Sequence, residues 1–187
     1  AAVLLAEEEF PGTVRFLFQP SEEVSDAEGQ SGAPRMVEDG AMAGVDRVLA
    51  LHVNPDYAVG DIALAAGPQS AGIDTFYITI IGRGGHGATP EETIDPIYIA
   101  GHVILALNAI LSRRKSPLEP AVISIGSIRG GDTDNVIPDR VQLSGTIRYL
   151  EPAVQALLHG EIARALELVR TLGGDYALRI EPGGGPL

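Results

Sequence analysis

Hydrophobic and polar positions follow two regimes along this chain. In the second half, Phe76, Ile78 and Ile80 alternate with Thr75, Tyr77 and Thr79, the period of two that marks a half-buried strand. Asp95-Pro96 then opens a helix, with a carboxylate at the cap and proline at the first helical position, running to about Ser112. Ala121–Ile128 is β-branched and strand-like. Val141, Leu143, Ile147 and Tyr149 alternate with Arg140, Gln142, Ser144, Thr146 and Arg148, another half-buried strand. From Pro152 to Leu172, the apolar Val154, Leu157, Leu158, Ile162, Leu168, Val169 and Leu172 trace one helical stripe, and Tyr176, Leu178 and Ile180 mark a last strand. The order βαββαβ is that of a ferredoxin-like α+β unit, a four-stranded antiparallel sheet with two helices on one face.

The first half reads differently. Ala1–Glu9 resembles the tail of a helix broken at Pro11-Gly12, and Thr13–Phe18 is a short apolar run, a buried-strand candidate. A polar stretch from Ser21 to Ser31 leads to a helical pattern over Pro34–Ala43, and Asp46–Val53 forms a second run closed by Asn54-Pro55. Strand, helix and strand at this spacing predict an α/β unit with parallel strands. Two such strands and one helix cannot cover both sheet faces. The chain therefore reads as the middle of a longer protein: part of a parallel-sheet domain over 1–70, the ferredoxin-like unit over 71–182, and a linker over 183–187.

The charge divides at the same place. Of 187 residues, 25 are acidic and 13 basic, a net charge of -12, and residues 1–70 hold 12 of the acidic side chains against 3 basic ones. Phosphate binding needs clustered Lys and Arg, so nucleic acid is excluded as the main partner. No apolar run approaches the roughly 20 residues of a membrane span, and no charged-then-apolar leader stands at Ala1, so a cytoplasmic protein without a membrane partner is the expectation. There is no cysteine, hence no thiolate metal site within this stretch.

Candidate chemistry lies at predicted strand ends. Glu22 and Glu23 follow the first strand, where ligands of open α/β sheets sit. One can bind a divalent cation while the other serves as general base; a solvated acidic loop is the alternative. His52 ends the next strand and supplies an imidazole suited to zinc-like metals, or a structural group. In Gly82–Pro90, the spacing of Gly82, Gly84 and Gly87 satisfies a dinucleotide fingerprint, but Pro90 intervenes before the helix, so the better reading is a flexible loop that brings His86 to a ligand. Asn135 can donate to a carbonyl oxygen, and Arg148 can grip a carboxylate; a hairpin loop and an ordinary exposed arginine are the alternatives. His102 and His159 lie within helices and are assigned to structure.

Phe18-Gln-Pro-Ser-Glu-Glu23, Leu51-His-Val-Asn-Pro55, Gly82-Arg-Gly-Gly-His-Gly-Ala88, Gly126-Ser-Ile-Arg-Gly-Gly131, Asn135-Val-Ile-Pro-Asp139 and Gly145-Thr-Ile-Arg148 occur in that order. Together they resemble the M20 metallopeptidases, most closely the amidohydrolase branch of hippurate, N-acyl-amino-acid and auxin-conjugate hydrolases. The resemblance implies a catalytic domain holding two divalent metal ions (Zn, Mn, Ni or Co) and a ferredoxin-like lid that joins two subunits into a homodimer. It implies Glu22 as general base, Glu23 and His52 as metal ligands, His86 and Asn135 as donors to the scissile carbonyl, and Arg148 near the carboxylate of an N-acyl amino acid substrate. It also allows the lid histidine to serve the partner subunit's site. The family's upstream Cys/His ligand motif and its downstream ligand His are absent from these residues. The expectation is therefore that they bind metal poorly alone and turn over no substrate, and that the full-length enzyme cleaves N-acyl amino acids. A di- or exopeptidase and a non-catalytic dimerisation module are the competing readings.

Overall fold

A computed structural model describes residues 11–21, 27–28, 30–64 and 66–186, which fall into two compact units, 1–62 and 63–187. The described part of the first unit holds one helix, α1 (Gly32–Glu38). It stops short of the Ala43 expected from its apolar pattern because Gly40, at φ 84°, ends it: Gly40 N–H reaches Val37 O (3.0 Å) and Ala41 N–H reaches Met36 O (2.8 Å), the paired bonds of a glycine-terminated helix. Arg15 Nη1 donates to Ala41 O at 2.7 Å and anchors the preceding segment. The two runs expected to be parallel strands, Thr13–Phe18 and Asp46–Val53, pair with nothing among the described residues, and Phe18, Leu49 and Leu51 stand exposed. The physical reason is the one that limits such a unit: two parallel strands and one helix leave both sheet faces open, and no further described strand completes them.

The second unit carries the expected antiparallel architecture. Strands β1 (Gly72–Ile81), β3 (Ala121–Arg129), β5 (Arg140–Tyr149) and β6 (Asp175–Pro182) form one sheet in the order β3-β5-β1-β6. β1 runs against β5 from Gly72↔Tyr149 to Ile81↔Arg140, and against β6 from Asp74↔Pro182 to Ile81↔Asp175. β3 pairs with β5, with a bulge between Ile125 and Ser127. Helices α2 (Pro96–Arg113) and α3 (Pro152–Thr171) cover one face. α2 starts where Asp95 Oδ1 accepts from Ile97 N–H (2.8 Å) and Tyr98 N–H (3.2 Å). It is long and apolar enough to cross a membrane, but Ile99, Val103, Leu107 and Ile110 are buried in the core of this unit.

The core joins Phe76, Ile78 and Ile80 of β1 and Val141, Leu143 and Ile147 of β5 to the buried stripes of both helices. On α3 the stripe runs through Leu166, with Leu168 only half-buried. Arg114, capping α2, pairs with Glu161 of α3 at 3.1 Å, and Arg164 binds the same carboxylate. Hydrogen bonds from Arg114, then Arg164, hold Glu161 below the usual glutamate range. The opposite sheet face is polar, with the Arg179 guanidinium 4.1 Å above the Tyr77 ring.

One feature is absent from the periodicity. The loop after β1 and the loop before β5 join as a two-stranded ribbon, β2 (Gly85–His86) and β4 (Val136–Ile137). The ribbon explains the glycines better than flexibility does. A Cβ on Gly84 would lie 2.5 Å from Ile137 O, so glycine is what permits the two backbones to meet. Asp139 locks the junction: its Oδ1 accepts from Gly84 N–H (2.9 Å) and its carbonyl from Gly82 N–H (2.8 Å).

Candidate functional site

Two places hold the residues singled out by chemistry. In the first unit, Glu22 and Glu23 lie outside the described residues. His52 is exposed, and its Nδ1–H donates to Val53 O at 2.8 Å. That hydrogen bond selects the tautomer whose Nε2 keeps its lone pair, the arrangement in which metal-ligating histidines are usually held. No group of three His, Asp or Glu side chains able to hold a metal ion occurs among the described residues.

In the second unit, the ribbon brings His86 and Asn135 together across two sequence-distant loops. His86 pairs with Val136, and Gly87 N–H donates to Asn135 O at 2.8 Å. The His86 Nδ1 accepts from Ala88 N–H at 3.1 Å, so in the neutral ring the proton resides on Nε2. Asn135 Oδ1 accepts from Thr133 Oγ1 at 3.3 Å, and the amide nitrogen is the donor of that side chain. The two side chains thus offer N–H donors, the equipment for a carbonyl oxygen that gains negative charge. The two histidines are opposite in tautomer: His52 retains a lone pair suited to a cation, whereas His86 retains a donor.

Arg148 is not with them. It lies on β5 opposite Ile73 and Val122, at the far end of the strand from the ribbon. Eight residues separate it from Arg140, roughly 26 Å at the usual rise of a strand. Two other arginines take the ribbon end: Arg129 and Arg140 line an open hollow with Gly84, Gly85, Asp132 and Asp139, and neither makes an ion pair among the described residues. Sequence reasoning missed both. Their signal was position, since Arg129 directly precedes Gly130-Gly131 and Arg140 directly follows Asp139. His102 stacks edge-on to Tyr98 (4.6 Å), and His159 contacts Asp74.

Residues 69–169 match the peptidase dimerisation domain of the M20 family. The chain is 43% identical over 157 residues to an N-acetyl-L-cysteine deacetylase of Bacillus subtilis, covering 83% of this chain and 36% of that protein. It is 40% identical over 170 residues to thermostable carboxypeptidase 2 of Saccharolobus solfataricus, covering 91% and 42%. Among solved structures, a Bacillus subtilis protein described as a dinuclear metal-binding peptidase of the M20 family superposes with a TM-score of 0.70 at 29% identity, over 91% of this chain and 41% of that one. The chain spans less than half the length of the curated relatives it matches.

Proposed function

The chain belongs to the M20 peptidase dimerisation-domain family, and from that premise we propose that the whole protein is a metal-dependent amidohydrolase that cleaves the amide of N-acyl amino acids. The tautomer of His86 carries this reading. A histidine whose Nδ1 is occupied by a backbone N–H presents Nε2–H, and beside the Asn135 amide it forms a donor pair for the scissile carbonyl. The deacetylase relative supports the substrate class.

Glu23 and His52 are the residues here that would hold a divalent cation; their O and N donors suit Zn, Mn, Ni or Co alike. His52 fits through its free Nε2. Two donors fall short of the three that catalytic sites take from protein, and two metal ions would need more again. When bound, the cations supply Lewis acidity toward the carbonyl and lower the pKa of water. Glu22 takes a proton from the attacking water and returns it to the leaving amine. His86 and Asn135 hold the oxygen on which charge develops, and Arg148 binds the substrate carboxylate.

A fully extended two-residue-sized substrate spans only about 7 Å, against roughly 26 Å of strand between Arg148 and the ribbon end. One lid cannot offer both to one molecule. His86 and Asn135 of one subunit therefore work with Arg148 of the other, in a homodimer formed through this domain. An isologous pairing along antiparallel edges brings opposite ends of the two sheets together.

The test is hydrolysis by the full-length protein of N-acetyl amino acids, before and after chelation and with each metal restored. Metal-restored cleavage of blocked substrates is expected, and inactivity with all four metals would refute the proposal. The carboxypeptidase relative favours a second reading, an exopeptidase. Preference for free dipeptides over α-amine-blocked substrates in the same panel would establish it.

A further inference from the structure

Asp74 is fully enclosed in the core, yet it is a carboxylate. Four donors surround it. Gln155 Nε2 (2.8 Å) and His159 Nε2 (2.6 Å), one turn apart on α3, donate to Oδ2. Tyr149 OH (3.4 Å) from the end of β5 and Gly183 N–H (3.3 Å) from just past β6 donate to Oδ1. Burial and the nearby carboxylate push the Tyr149 phenol above its ordinary value. Enclosing a carboxylate is costly unless its acceptors are satisfied, and a well-packed apolar side chain would stabilise such a place at least as well. The cluster does something an apolar residue would not: it ties specific groups from β1, β5, α3 and the segment after β6 to a single point.

That point has a particular location. The chain enters the sheet at Gly72 and leaves it past Pro182 on neighbouring strands. Ile73 N–H donates to Gly184 O (2.9 Å) and Ile73 O accepts from Gly183 N–H (2.8 Å), so the two crossings are bonded to each other. The Tyr149 ring lies against Gly72, where a Cβ would come within 2.7 Å of it. The same rung continues from Ile73 to Arg148 and on to Val122.

We infer that Asp74 is a positioning residue: its four-donor cluster fixes the end of the sheet where the chain enters and leaves, and with it the rung of β5 that presents Arg148 to the substrate carboxylate. The inference rests on the assignment of Arg148 to that carboxylate. Loosening the cluster leaves the ribbon, at the other end of the sheet, untouched. The consequence is selective, a loss of carboxylate recognition without loss of the donors at the scissile bond.

The experiment compares an N-acetyl amino acid with its carboxamide counterpart in the full-length enzyme, using Asp74→Asn, Arg148→Met and the double variant, each with its melting temperature. Asp74→Asn keeps the shape and exchanges a charged acceptor for a neutral amide. It is expected to raise KM for the carboxylate substrate about 10-fold, the scale of a charged hydrogen bond. The carboxamide KM and both kcat values should change little, and Asp74→Asn should add nothing in the Arg148→Met background. If Asp74→Asn does not fold, His159→Ala, at a part-exposed helix position, carries the same test with a smaller shift. Equal losses on both substrates, or effects that add to those of Arg148→Met, would overturn the inference and leave Asp74 a purely structural group. Should Arg148→Met itself fail to distinguish the two substrates, the assignment of Arg148 falls, and the inference with it.

Discussion

Gly145→Ala tests the packing of the sheet at its tightest point. Gly145 lies on the central strand β5, opposite Phe76 of β1 and Ile125 of β3. A Cβ there would come within 2.1 Å of Ser124 O and 2.4 Å of Phe76 Cζ. Ordinary contact needs well over 3 Å, so one or both neighbours must move by about 1 Å. Neither does so easily: Ser124 O is backbone of a paired strand, and Phe76 is fully buried among core side chains. Overpacking of this kind typically costs about 1–3 kcal/mol. With backbone on one side and an enclosed ring on the other, the upper end applies, about 3 kcal/mol. For a unit of this size that lowers the melting temperature by roughly 10 °C.

The assay is thermal unfolding followed by circular dichroism, for wild type, Gly145→Ala, Phe76→Leu and the double variant. Phe76→Leu removes the ring edge and leaves the carbonyl, so the double variant should be more stable than the two single losses added together, by about 1 kcal/mol of coupling. A Gly145→Ala melt within 2 °C of wild type, or strict additivity with Phe76→Leu, would refute the steric argument (an effect of 2 °C being under about 1 kcal/mol). The glycine of the motif that leads to Arg148 would then be there for some reason other than close packing.

Asp95→Ala removes the acceptor for Ile97 and Tyr98 N–H and should destabilise the ferredoxin-like unit by about 1 kcal/mol, read as a lower melting temperature. Glu161 is held below its ordinary value of 4.5 by Arg114 and Arg164. Its contribution is therefore complete above that value and is lost as pH falls through the lowered folded-state value. Melting temperatures from pH 6 downward, wild type against Glu161→Gln, should converge at the acid end, and a constant gap would contradict the assignment. Glu22→Gln in the full-length enzyme should lower kcat by about 10²–10⁴-fold with the fold intact, and unimpaired kcat would remove Glu22 from the mechanism.

The ferredoxin-like unit was legible because its strands and helices repeat their apolar positions over five residues or more, enough to fix which face is buried. Alternation in Phe76–Ile80 and Val141–Tyr149 states both the element and its orientation. The ribbon was not legible. Each of its strands has two residues, and what joins them is backbone proximity at Gly84 and the Asp139 carboxylate, neither of which has a period. Thr13–Phe18 and Asp46–Val53 failed for another reason. A continuous apolar run declares that a segment seeks burial, but not which partner buries it. The motifs located His86, Asn135 and Arg148 without revealing that Arg148 lies at the opposite end of the sheet. Thirteen residues from Asn135 to Arg148 can fold back or run straight. They run straight, because Arg140–Tyr149 pairs along its whole length with β1.

That straight run leads to a test of the shared site that stability measurements cannot give. If His86 of one subunit acts with Arg148 of the other, the His86→Ala homodimer and the Arg148→Met homodimer each have two damaged sites. Mixed under conditions that let subunits exchange, half of the dimers become heterodimers. In each heterodimer one site combines two damaged residues and the other combines two intact ones. Random pairing of an isologous dimer then restores about one quarter of wild-type activity per site. If both residues serve a single site within one subunit, every site in the mixture carries one lesion and the mixture is no more active than its components. Exchange must be shown directly, by mass or by a fluorescent label on each variant. Proven exchange with no recovery of activity would refute the composite site. It would require some rearrangement of β5 to carry Arg148 across roughly 26 Å, against the register in which Ile73, Arg148 and Val122 are paired.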